Sequence, residues 1–125
     1  MTYIPSRIRG VDHVQLAMPA GHEDDARGFY TGVLGLQEVP KPEQLARRGG
    51  VWFEGDGLKI HLGVEKEFRP ARKAHVAFVV DNVRALAQLC AERGLDVAEA
   101  EQIEGWFRLY VSDPFGNRLE LMQPA

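Results

Sequence analysis

Three histidines and one carboxylate stand where they could bind a metal ion. The segments are Asp12-His13-Val14-Gln15-Leu16, Leu58-Lys59-Ile60-His61-Leu62, His75-Val76-Ala77-Phe78-Val79-Val80 and Leu119-Glu120-Leu121. In a strand, residues two apart share a face. If the alternating apolar residues face a core, then His13, His61, His75 and Glu120 all project from the opposite faces. Should the strands that carry them curl toward one another, three imidazoles and a carboxylate would meet. Such a set suits Zn, Ni, Fe, Co or Mn and leaves positions open for water or substrate. Glu120 is its one anionic member, so it is the candidate catalytic base as well as a ligand.

The spacing of these residues repeats. Gly57-Leu58-Lys59-Ile60-His61-Leu62 is similar to Gly116-Asn117-Arg118-Leu119-Glu120-Leu121, 59 residues later, and Gly35-Leu36 maps onto Gly94-Leu95 at that same offset. His13-Val14-Gln15-Leu16 is similar to His75-Val76-Ala77-Phe78, 62 residues later. Three matches in one order and at nearly one offset point to an internal duplication. His13 is then equivalent to His75, and His61 to Glu120.

Each half reads as strand, helix and three strands. In the first half, Val11 to Met18 alternates as a half-buried strand does. Ala26, Phe29, Tyr30 and Val33 carry a helical stripe that Gly35 ends. Strands are expected at Gln37 to Val39, Gly50 to Phe53 and Leu58 to Val64. In the second half, His75 to Val80 is a strand, Asp81 is placed to cap a helix, and Val83, Leu86, Ala87 and Cys90 form its stripe up to Gly94. Strands near Val97 to Ala98, Phe107 to Val111 and Arg118 to Met122 follow, with Asp113-Pro114-Phe115-Gly116-Asn117 as a tight turn. The expected architecture is α+β: two tandem βαβββ modules, residues 8–64 and 74–123, joined by the polar linker 65–73 into one domain over 1–125. Their strands would form a curved mixed sheet around a cup-shaped site.

These motifs resemble the vicinal oxygen chelate superfamily, which includes glyoxalase I, extradiol dioxygenases, and fosfomycin- and bleomycin-resistance proteins. The resemblance rests on Val11-Asp12-His13-Val14, on Phe29-Tyr30 with Leu34-Gly35-Leu36, and most specifically on Asp113-Pro114-Phe115-Gly116-Asn117-Arg118-Leu119-Glu120-Leu121. It implies one divalent metal held by His13, His61, His75 and Glu120, and a reaction of lyase, isomerase or dioxygenase type on a small substrate with adjacent oxygens. It also implies a homodimer, with modules paired within a chain or exchanged between chains. Glyoxalase I usually carries a glutamate where this chain has His61, which leaves Glu120 as the obvious carboxylate base. Dioxygenases and fosfomycin-resistance enzymes use two histidines and one glutamate, available here as His13, His75 and Glu120. Bleomycin-resistance proteins bind drug without these ligands, so retention of all four argues against simple loss of metal; sequestration of an antibiotic or metabolite without turnover is the alternative.

Trp52, Trp106, Arg108 and Tyr110 lie on the expected inner strands or their approaches and are the candidate substrate-binding residues; Phe107 lies among them. His22, with Glu23, Asp24 and Asp25, reads as a solvated connection. Arg47-Arg48 reads as a solvated pair that a loop over the cup could turn to an anionic substrate. Cys90 reads as a packed thiol in its helix stripe. The 125 residues are 45% apolar and 26% charged with a net charge of -3, which gives no electrostatic reason to expect nucleic acid. The longest apolar runs fall far short of the ~20 residues needed to span a bilayer, and Met1 to Arg9 lacks a signal-peptide core. Neither nucleic acid nor membrane is an expected partner, and the expected location is the cytoplasm.

Overall fold

The computed structural model describes residues 1–125. Each half forms its own four-stranded mixed sheet. In the first, β1 (Val14–Met18) runs parallel to β4 (Leu58–Val64), which is antiparallel to β3 (Val51–Gly55), and β2 (Gln37–Val39) closes the far edge. In the second, β5 (Val76–Val79), β8 (Arg118–Pro124), β7 (Trp106–Ser112) and β6 (Val97–Glu99) repeat that order and those directions. The first and last strands of each module are thus neighbours, which sets residues distant in sequence side by side.

The alternation read from the sequence is the alternation of burial. Leu16, Met18, Val51, Phe53, Ile60 and Leu62 are buried on one face of the first sheet, and Phe78, Val111, Leu119 and Leu121 on one face of the second. Helices cover those faces. The first begins as a turn of α-helix, α1 (Glu23–Ala26), and widens into a π-helical turn over Arg27–Thr31, burying Ala26, Phe29 and Tyr30. The second, α3 (Val83–Glu92), buries Val83, Ala87 and Cys90. Gly35 and Gly94 follow these helices at φ 76° and 78°, a left-handed conformation that glycine adopts without steric penalty.

Two local expectations are corrected. Asn82, not Asp81, caps α3: its Oδ1 accepts from the Ala85 backbone N–H at 3.0 Å. The helix starts at Val83, so the side chain that reaches the third N–H of the first turn is the residue directly before it. The connection after β2 also holds a short helix, α2 (Glu43–Ala46), that Pro40-Lys41-Pro42 concealed, because prolines read as loop although they are tolerated before a first turn.

The modules join through their helix-covered sides, and residues of both contribute to one buried apolar cluster. The Asp113-to-Asn117 turn ties them further. Tyr30 Oη donates to Asp113 Oδ2 at 2.7 Å. Asn117 Nδ2 donates to the Ala17 carbonyl at 2.9 Å, while Asn117 Oδ1 accepts from Ala71 N at 2.9 Å. Asp113 Oδ1 also accepts from the backbone of Phe115 and Asn117, at 2.9 Å each. The motif most specific in the sequence therefore joins the second hairpin to β1 and to the chain between the modules.

Candidate functional site

Because the helical faces are shared, the opposite faces of both sheets are turned away from the common core, and these carry the polar set. In the first sheet the register places Gln15, His61 and Trp52 side by side across β1, β4 and β3. The Trp52 indole lies flat on the His61 ring, with centroids 3.8 Å apart and planes 3° from parallel. His13 stacks on His61 as well, at 4.1 Å and 19°. His61 is only 5% exposed, and this burial lowers its proton affinity, so the neutral ring with a free lone pair is favoured. His13 is partly exposed, and its Nδ1 lies 2.9 Å from Asp12 Oδ2, in turn 3.5 Å from Lys59 Nζ. With Nδ1 donating to Asp12, Nε2 is the nitrogen left for a ligand.

In the second sheet the equivalent row is Ala77, Glu120 and Tyr110 across β5, β8 and β7. Glu120 is buried and fully engaged. Oε1 lies 2.8 Å from His75 Nε2, and Oε2 accepts from Arg108 Nε at 2.7 Å. Arg108 also donates to Tyr110 Oη at 2.8 Å and to the Glu101 carbonyl. The Arg108 guanidinium, aided by His75, holds the Glu120 carboxyl below the usual carboxylate range against the opposing effect of burial. Glu120 is therefore ionised at neutral pH. His75 Nδ1 lies 2.9 Å from the Lys73 carbonyl, so both ring nitrogens face oxygen acceptors. Tyr110 meets the His75 ring edge to face at 5.5 Å and lies beneath the Arg118 guanidinium at 4.7 Å.

The structure thus brings the four expected ligands together as two pairs, His13 with His61 and His75 with Glu120. The pairs lie in separate sheets, and no group of three or more metal-binding side chains forms within one chain. Among the expected substrate-binding residues, Trp52 lies against His61, Tyr110 against His75 and Arg108 against Glu120. Trp106 stands at the start of β7, on Arg108's face but opposite Pro124. Phe107 points to the helical side, under the Arg84 guanidinium at 4.3 Å. Two further residues lie beside the expected ligands: Gln15, whose place two residues after His13 puts it on the same face, and Asp12 as the partner of His13.

A family profile described as "Glyoxalase/Bleomycin resistance protein/Dioxygenase superfamily" matches residues 10–121. A glyoxalase family protein of Bacillus anthracis is 44% identical, with a TM-score of 0.88 over 98% of this chain and 100% of that one. A glyoxalase/dioxygenase of Nostoc punctiforme is 23% identical, with a TM-score of 0.77 over 100% of this chain and 97% of that one. The fosfomycin resistance protein FosX of Listeria monocytogenes, complexed with Mn(II) and sulfate, is 17% identical, with a TM-score of 0.77 over 95% and 93%. The latter two support the fold. No curated protein matches the chain. The duplicated strand order, the Asp113-to-Leu121 motif and these matches agree: this chain belongs to the glyoxalase/bleomycin resistance protein/dioxygenase superfamily.

Proposed function

We propose that this protein is a divalent-metal-dependent enzyme acting on a small molecule with adjacent oxygens, and that its metal site is composite. His13 and His61 of one chain would face His75 and Glu120 of a second chain in a homodimer. The observation that carries this reading is the presentation of two repeat-equivalent ligand pairs on faces turned away from the common core. A two-fold dimer that brings unlike pairs together would complete two identical sites. The donor set fits a divalent ion: His61 is favoured as the neutral ring, His13 has Nε2 free, and Glu120 is held ionised.

When bound, such an ion would supply Lewis-acid polarisation of the two substrate oxygens. The remaining work belongs to the chain. Arg108 fixes Glu120 through Oε2 and leaves Oε1 directed at His75, the side from which a ligand would be shared. Glu120 is the candidate proton acceptor. Its contact with Arg108 weakens it as a base, so proton transfer to Glu120 would draw on Oε1 alone. Trp52 and Tyr110 would wall the two sides of the substrate.

One observation favours a second reading, sequestration without turnover. The flat stack of Trp52, His61 and His13 offers an aromatic wall suited to a planar ligand. The test is metal analysis of native protein, followed by assays with Ni, Fe(II), Mn and Zn on a thiohemiacetal and a catechol. Metal-dependent turnover is the expected result; binding with no product under any metal would favour sequestration. Sedimentation as a monomer at micromolar concentration would contradict the composite site.

A further inference from the structure

Beside His61, on the same face of the first sheet, lies a cavity of about 210 Å³ that the metal pair does not account for. Gln15, Lys41, Leu45, Arg48 and Trp52 line it. Trp52 is shared between the cavity and the His61 stack, so the cavity opens next to the proposed ligands. The chain makes room for it with glycines. Gly63 lies under the Gln15 amide, whose Nε2 would be 2.6 Å from a Cβ added there. Gly49 and Gly50, at φ 73° and 86°, turn the chain from α2 into β3 in a conformation that other residues strain to adopt. The repeat sharpens this: Gly50 stands two residues before Trp52 as Arg108 stands two residues before Tyr110, so the second module carries a guanidinium where the first has no side chain.

The lining is cationic. Neither Lys41 nor Arg48 is ion-paired with a carboxylate. Lys41 donates to the Gly49 carbonyl and also feels the charge of Glu23, whose Oε2 accepts from Gly50 N at 2.8 Å. Arg48 is exposed and has no such compensation. An ammonium, a guanidinium and an amide around an apolar floor of Leu45 and Trp52 form a seat for an oxyanion on a short carbon chain. We infer that the substrate is a small organic acid whose anionic end sits between Lys41 and Arg48, with Gln15 donating to it, while its other end reaches the His13–His61 pair. This inference rests on the metal-site reading for the position of that other end.

The test has two arms. Metal-free protein is titrated calorimetrically with malonate. Binding is expected to weaken about tenfold in Arg48→Gln and in Lys41→Gln, and to be unchanged in Arg93→Gln, a residue that does not line this cavity. Metal-loaded protein is then offered malate and 2-hydroxybutyrate, which differ only by a distal carboxylate against a methyl. Malate is expected to bind about tenfold more tightly, a preference lost when Lys41 and Arg48 are both replaced by Gln. No malonate binding, or binding indifferent to Lys41 and Arg48, overturns the anion seat. If the protein takes up no metal while malonate binding still depends on both cations, the seat stands and the metal reading falls. If metal is taken up and the two acids bind alike, the seat falls and the metal reading stands.

Discussion

The two modules hold the same backbone positions and fill them with opposite chemistry. Across β1, β4 and β3 the row reads Gln15, His61 and Trp52; across β5, β8 and β7 it reads Ala77, Glu120 and Tyr110. The first row is uncharged, stacked and open at the Gly50 corner. In the second, Glu120 and Tyr110 are both hydrogen-bonded to Arg108, which fills the equivalent corner. Strand register preserved the geometry after duplication, while the side chains divided the work. One module presents two imidazoles and room; the other presents the single carboxylate of the candidate set and the groups that keep it fixed.

The largest way to break this comparison is to separate the modules. Asp113→Ala removes the acceptor for Tyr30 Oη, two backbone N–H groups and the Asn117 amide in one step. Loss of about 3 kcal/mol or more is expected in denaturant unfolding, because buried donors are left unsatisfied; a loss below about 1 kcal/mol would show that this turn does not join the modules. Next come the ligands. Glu120→Gln should weaken Zn or Mn binding about a hundredfold, and His61→Gln only about tenfold, since the latter replaces a neutral donor with another. Equal losses would erase the proposed division between charged and neutral halves.

Arg108→Met probes the support rather than the ligand. Metal affinity should fall about tenfold because Glu120 loses the group that orients it; unchanged affinity would make Arg108 a bystander. The same variant carries the smallest prediction, in pH. Arg108 lowers the proton affinity of Glu120 in the folded protein, so the contact stabilises fully above the ordinary carboxylate range and is lost as pH falls through the depressed folded value. The melting-temperature gap between wild type and Arg108→Met should be present at pH 7 and shrink on acidification towards pH 3, on the order of a few degrees. A gap that widens in acid would reverse the assigned sign.

The sequence carried the fold because its signals were local and repeated. The apolar alternation around His13, His61, His75 and Glu120 fixed which face each side chain takes, and burial of Leu16, Ile60, Phe78 and Leu121 follows it. Gly35 and Gly94 marked the helix ends for the same local reason. What a single chain could not disclose was how the two sheets face one another, since that depends on packing between helical faces and on the Tyr30–Asp113 contact, 83 residues apart. The four candidate ligands share a sidedness, and yet they meet as two pairs. Arg108 was legible as an arginine among aromatics but not as the partner of Glu120, because the contact crosses from β7 to β8 beside the Tyr110 register. Lys41 lay between two prolines, and its approach to Gly49 needs the α2 turn.

In the proposed dimer, one metal site draws on both chains. The most direct measurement mixes two silent variants, the His13→Ala, His61→Ala double variant and Glu120→Gln, by unfolding and refolding them together. Tight metal binding is then counted per chain. In a composite dimer, each mixed pair holds one site with both modules intact, so about a quarter of the wild-type capacity should return, the statistical share when half the dimers are mixed. No recovery, with mixed dimers confirmed by mass, would place each site within a single chain and contradict the account.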